Sequence, residues 1–293
     1  MQLLNDNLFT YETYLSPFTT RYGTSDMRKI WSEINRRHLW RKIWVSLAKE
    51  QHKVGLISKE EINDIIKYQN TLDIKRAKEI EHEVYHELMA ELKTFEKQCA
   101  IGGGKLHLGA TSTDILDNAT ILQIRQSINL IKKSLKELIL QFGNKIKENK
   151  DLICMGYTHL QPAEPITLGY RLSFYAQELL TDLENLKNIE KMIKGKGIKG
   201  AVGTSASYTQ LLKNLNIDAF EFEKRVMKNL KIKPMLITSQ TYSRKIDFMI
   251  ITALSNIATT LHKFSFDFRI MVTPQIGEWE ELRDAKRIGS SVC

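Results

Sequence analysis

The chain has 293 residues, with 43 Lys or Arg against 34 Asp or Glu, a formal charge of +9. Hydrophobic residues at 42% and charged residues at 26% form an ordinary globular balance, which argues against disorder; five Pro and 15 Gly exclude collagen-like and low-complexity chains. The length suits one or two domains with a buried core, and no run of about 18 apolar residues suggests a membrane span.

The first segment, Met1 to Leu15, has no cationic start and carries Asp6 and Glu12, so it does not read as a signal peptide. Cys99, Cys154 and Cys293 are odd in number and widely spaced. That pattern argues against a disulfide framework and favours a reducing, cytoplasmic compartment. Basic residues are spread along the chain rather than clustered, so nucleic acid is not expected as a partner. A small anionic substrate accounts for the charge equally well.

Helical periodicity dominates in chain order. Ser25 reads as an N-cap, followed by Met27, Ile30, Trp31 and Ile34, with Trp40, Ile43, Trp44 and Leu47 continuing the stripe. Ser58-Lys59-Glu60-Glu61 reads as a capping box opening a shorter helix. A third helical segment is expected over 72–99, then a loop at Gly102-Gly103-Gly104-Lys105. Three long helices follow, over 113–149, 165–194 and 239–272. At about 1.5 Å per residue the first would span roughly 50 Å. Helices of that length fit an elongated bundle extended by other subunits. Strand signals are sparse. The expected fold is all-α, with a small N-terminal helical domain over 1–110 and an elongated bundle over 111–293.

Several polar constellations could carry chemistry. His82-Glu83-Val84-Tyr85-His86 matches HExxH, which on one helix face would give two zinc ligands and a base. The competing reading is an exposed acidic helix face. Gly109-Ala110-Thr111-Ser112-Thr113-Asp114 precedes the first long helix, where hydroxyls and helix N–H groups could hold a carboxylate or could simply cap the helix. Thr158-His159-Leu160-Gln161-Pro162-Ala163 sets a His beside a Thr in a loop, suited to proton transfer. The stretch 195–200 is Gly-rich without being a Walker loop, and a flexible linker is its plain reading. Gln240-Thr241-Tyr242-Ser243-Arg244 opens the third long helix, and Gly289-Ser290-Ser291 lies near the end.

Taken in order, HLGATSTD (107–114), THLQPAEP (158–165), GAVGTSAS (200–207), SQTYSRKID (239–247) and IGSS (288–291) resemble the fumarase/aspartase superfamily, and within it the adenylosuccinate lyases. The resemblance runs from about Ser16 to Cys293. It implies a β-elimination that releases fumarate, cleaving adenylosuccinate to AMP and the succinylated aminoimidazole carboxamide ribotide to its carboxamide. It also implies a homotetramer with shared active sites, and neither metal nor organic cofactor.

Residue by residue, the resemblance implies that Arg21 and Tyr22 contact phosphate. It implies that His86 and Glu87 lie against substrate, and that Thr111 and Ser112 hold the fumaryl carboxylate. By the same resemblance Thr158 stands beside the general acid His159, Gln240 and Arg244 orient substrate, and Ser290 is the base on a loop it shares with Ser291. Under this reading His86 serves the substrate and not a metal.

Tyr85 and Glu87 depart from the Arg and Asp of the family pattern. Cys293 stands where the family has Met, and the Pro, Lys and Asn of its signature do not follow. The sequence therefore reads as a fragment whose C-terminal part is missing. Two alternatives stay open: another superfamily member such as an argininosuccinate lyase, and a zinc hydrolase built on His82, Glu83 and His86.

Overall fold

The structure is a computed structural model that describes Ser16 and residues 18–280. The chain forms two compact units, one built from residues up to Leu130 together with Met192–Arg244, the other from Ile131–Lys191 and the segment from Lys245 onward. This division differs from the boundary expected near Ala110, because the chain passes between units inside one long helix.

The first unit begins with a short π-helical turn, Phe18–Tyr22. It continues with α1 (Ser25–Ile30), α2 (Glu33–Lys53), α3 (Lys59–Tyr68), α4 (Ile74–Val84) and α5 (Glu87–Gln98). Thr24, one residue before the expected Ser25, caps α1 by accepting from the N–H of Met27. The Ser58 capping box is present with both reciprocal bonds. Leu39, Trp40, Ile43, Trp44 and Leu47 of α2 are buried, as are Ile65 of α3, Ile80 of α4 and Leu88 and Phe95 of α5, and the Trp44 and Phe95 rings lie 6.3 Å apart. Each such side chain is worth about 1.5–3 kcal/mol of transfer free energy.

A buried charge network runs beside this core. Glu91 of α5 accepts from Arg37 Nη1 at 2.6 Å and from Arg41 Nε at 2.7 Å, all three side chains being fully buried. Arg41 Nη1 also satisfies the carbonyls of Tyr68 and Thr71, at 2.8 and 2.9 Å, and so ties the end of α3 to α2.

The helix expected over 72–99 is two helices. Tyr85 takes a left-handed backbone (φ 53°) and ends α4, and His86 caps α5, its Nδ1 accepting from the N–H of Met89. His82 and His86 therefore do not share a helix face, and the HExxH spacing loses the geometry that a zinc site on one helix needs. Among the described residues no group of three or more His, Cys, Asp or Glu side chains is arranged to hold a metal ion.

The 37-residue α6 (Ser112–Glu148) starts in the first unit and ends in the second. The second unit continues with an antiparallel hairpin, β1 (Ile153–Thr158) and β2 (Gln161–Thr167), and then α7 (Leu168–Met192). After α8 (Ala206–Leu211) and α9 (Ala219–Asn229), both in the first unit, α10 (Lys245–Met271) completes the second. Phe142 of α6, Tyr175 of α7 and Phe264 of α10 form its aromatic centre, with Phe264 edge-on to the other two rings at 5.2 and 5.1 Å.

The helix expected from Pro165 thus starts at Leu168, because residues 161–167 pair as a strand. The helix expected from Ser239 starts at Lys245, because 239–244 is a loop held by side chains of α6. Among the described residues the fold is mostly helical with one small two-stranded sheet.

Candidate active site

In the first unit, the start of α6 gathers three loops. Asp114 is fully buried and accepts at 3.0 Å from each of three backbone N–H groups, those of Thr111, Lys199 and Gly200; it also pairs with the buried Lys196. One turn on, Asn118 donates to the Gly197 carbonyl at 2.9 Å and accepts from the Gly197 N–H at 3.3 Å. Asp117 accepts from the Tyr242 N–H at 2.8 Å and from Arg244 at 3.3 Å. Thr113 Oγ1 donates to the Gln240 carbonyl at 2.5 Å.

The structure therefore brings Thr111, Ser112, Gln240 and Arg244 into one neighbourhood. Their residue types were legible in the sequence; Asp114 was read only as part of a helix-start constellation, and Asp117 and Asn118, which help assemble the site, were not singled out. Acidic residues at i and i+3 on a helix opening were the available signal. One detail changes the expected helix-terminus site: the Thr111 N–H is already taken by Asp114.

The Gly-rich stretch 195–200 is a bracket and not a flexible linker. Gly195 exchanges backbone hydrogen bonds of 2.9 Å with Lys233 and Met235. Gly197 (φ +89°) passes so close to Glu223 that an added Cβ would lie 2.0 Å from its Oε1. Lys199 meets both oxygens of Glu223, at 2.7 and 2.6 Å. Burial pushes the Glu223 carboxyl up, against the opposing pull of Lys199. Beneath, the fully buried Tyr208 ring touches the position a Cβ on Gly109 (φ +78°) would occupy, 3.0 Å from Cε1.

His107 adds an imidazole to this region. Trp44 Nε1 donates to its Nδ1 at 3.0 Å, which leaves Nε2 as the protonated nitrogen of the neutral ring. Burial holds its pKa below the ordinary value; Asp114 opposes the shift and His86 adds to it. His86 thus lies within electrostatic reach of the loop that leads to Thr111. Glu87 pairs with Arg36. Arg21 and Tyr22 lie exposed on the first π-helical turn, and no hydrogen bond joins them to Thr111 or Gln240 among the described residues.

Thr158 and His159 belong to the second unit. They end β1 and open a two-residue turn, His159-Leu160, between partners Thr158 and Gln161. Both turn residues have positive φ, 52° and 62°, as a type I′ hairpin turn requires. Asn and Gly are the usual occupants; a His and a Leu there cost about 1–2 kcal/mol each and mark the tip for scrutiny. The His159 side chain is exposed and borders a cavity of about 550 Å³ that Arg171, Tyr175, Lys263 and Asp267 also line. Tyr175 donates to Asp267 Oδ2 at 2.8 Å, and burial pushes its phenol above the usual range, with Asp267 adding to the shift. Ser290 and Ser291 lie outside the described residues.

The sequence matches a family model described as lyase over residues 19–293. It is 36% identical to the adenylosuccinate lyase of Schistosoma mansoni over 284 residues, covering 96% of this chain and 59% of that protein. It is also 36% identical to the adenylosuccinate lyase of Archaeoglobus fulgidus over 275 residues, covering 94% and 60%. The chain thus spans about three fifths of the length of these relatives. The fold is similar to the crystal structure of a fumarate lyase from Mesorhizobium sp. BNC1, with a TM-score of 0.77 at 24% identity over 86% of this chain and 58% of that one. With the family model spanning nearly every residue, the chain belongs to this lyase family.

Proposed function

We propose that the chain carries the substrate-binding and proton-transfer segments of an adenylosuccinate lyase, a carbon–nitrogen lyase that releases fumarate. The observation that carries this reading is the strained turn that presents the exposed His159 at a hairpin tip, in a chain whose curated relatives bear that enzyme's name. The substrates are adenylosuccinate and its ribotide counterpart, the products AMP or the carboxamide ribotide together with fumarate.

In this reaction a base removes a proton from the carbon next to a carboxylate of the succinyl group. The C–H electron pair becomes the new C=C bond, and the C–N pair leaves with nitrogen. His159 supplies the proton to that nitrogen, so that it departs as a neutral amine. Ser290 is the base; an alcohol needs a positive local field and hydrogen bonds to serve so. Charge building on the carboxylate is met by the hydroxyls of Thr111 and Ser112 at the positive end of α6. Gln240 and Arg244 orient the substrate, Arg21 and Tyr22 meet its phosphate, and Thr158, His86, Glu87 and Ser291 complete the contacts. This chemistry draws on no metal or organic cofactor.

The protein assembles as a homotetramer with active sites shared between subunits, a reading supported by large apolar side chains left exposed on α7 and α10, among them Phe174, Phe248 and Ile251. No helix among the described residues is long and apolar enough to cross a membrane. Free Cys99 and Cys154 support a cytoplasmic setting.

The test is fumarate release by the full-length protein from adenylosuccinate, with argininosuccinate as the comparison substrate. His159→Ala is expected to lower kcat by about 10²–10⁴-fold without unfolding the protein, as loss of a general acid does. Near-normal turnover by that variant, or a preference for argininosuccinate, overturns the reading.

A further inference from the structure

An isolated two-stranded hairpin is marginal in water, and the one that carries His159 is also interrupted by a bulge. Its register slips between Gly156 and Tyr157, and Pro165 stands opposite Met155, whose own N–H and carbonyl point away from the ladder. Yet its tip sustains two left-handed residues, which only an over-determined backbone does. The support has to come from outside the ladder.

Part of it is at the root. The N–H groups of Leu168 and Gly169 donate to the carbonyls of Leu152 (2.8 Å) and Asn149 (2.9 Å). A Cβ on Gly169 would lie 2.7 Å from the Ile146 carbonyl, so α7 begins hard against the end of α6. The rest is halfway up β1. The Met155 N–H donates to Glu278 Oε1 at 3.3 Å, the Met155 carbonyl accepts from Arg171 Nη2, and Arg171 Nη1 closes the ring on Glu278 Oε2. Both backbone groups on the outer edge of the strand are thereby held by one ion pair. Arg171 is buried on α7, and its guanidinium lies 6.0 Å from the Tyr157 ring centroid.

The geometry points to Arg171 and Glu278 as positioning residues for His159: their pair takes the place of a neighbouring strand at Met155, four residues before the imidazole, and so fixes where the hairpin carries it. The inference rests on His159 acting as the general acid, and it concerns residues that act through the strand.

The test uses Arg171→Met, Arg171→Lys and Glu278→Gln in the full-length protein, with three readouts. The first is amide hydrogen exchange over 153–160, with the amides of α3 as internal reference. The second is the NMR signal of the His159 imidazole. The third is the division of the kinetic effect between kcat and KM. Arg171→Met is expected to speed exchange in the hairpin about tenfold or more with α3 unchanged, and to broaden the His159 signal. It is expected to lower kcat at least about tenfold with KM within roughly twofold, the pattern of a misaimed catalytic group. Arg171→Lys should recover part of this, because an ammonium reaches one partner but not both as a fork.

Glu278→Gln keeps the side-chain volume and carries the test if Arg171→Met fails to fold. Unchanged exchange and an unchanged His159 signal overturn the inference. So does lost protection with kcat intact, which would make the pair a brace without bearing on the imidazole. Full activity of His159→Ala would instead overturn the assignment of the general acid, with exchange and NMR still deciding whether the pair orients the tip.

Discussion

Asp114 meets four donors with one carboxylate: the N–H groups of Thr111, Lys199 and Gly200, and the Lys196 ammonium. Each donor comes from a segment with no regular structure of its own, so the carboxylate stands in for the ladder that a helix or strand would supply. Asp114 and Lys196 are both fully buried. Removing the acid alone would strand an ammonium in the interior, which costs about 3–5 kcal/mol. Asp114→Ala should therefore destabilise the protein by at least that amount in urea unfolding. Adding Lys196→Met should return part of the loss, because the stranded charge goes while three N–H groups remain unmet at about 1–3 kcal/mol each. A loss under about 1 kcal/mol for the single variant would mean that these loops are held by something else.

At the scale of elements, the hairpin and the α4–α5 junction are where local sequence and local structure part. The capping box at Ser58 and the long α6 were legible because each rests on contacts within a few residues: a reciprocal cap in one case, an apolar stripe free of Pro in the other. The 153–167 hairpin was not legible. Its two prolines suggest loop or helix start, and His159-Leu160 lacks the Asn-Gly signature of a tight turn; the support comes from Arg171 and from Glu278, over a hundred residues away in sequence. The break at Tyr85 was hidden for a related reason, since a left-handed Tyr that is 91% exposed gives no composition signal.

The turn makes a direct prediction. Leu160 is largely exposed, so Leu160→Gly forfeits little burial and relieves a left-handed conformation worth about 1–2 kcal/mol, against about 0.4–1 kcal/mol of added chain entropy when unfolded. The variant should be more stable by about 0.5–1 kcal/mol in chemical denaturation, and Leu160→Val, with its β-branch, less stable than wild type. The reverse order would show that the turn carries no strain.

For the whole molecule, the sequence made plain that helices of this length carry more apolar surface than one chain covers; it could not say which surface. Among the described residues, Phe248 and Ile251 stand on one face of α10 at i and i+3, 70% and 64% exposed, and Leu261 and Phe266 follow along the helix. Single exposed apolar residues are ordinary, but a run of large ones along a 27-residue helix is the pattern of a subunit interface. If α10 packs against copies of itself, burying such side chains contributes about 1.5–3 kcal/mol each on every subunit, enough that two charges there would be felt. The 293-residue chain should sediment as an assembly several times its own 33.9 kDa. Phe248→Glu combined with Ile251→Glu should shift it to smaller species at equal concentration while its helical circular dichroism persists. A wild-type chain that sediments as a monomer at every concentration would leave α10 without a partner, and the shared-site reading would fail with it.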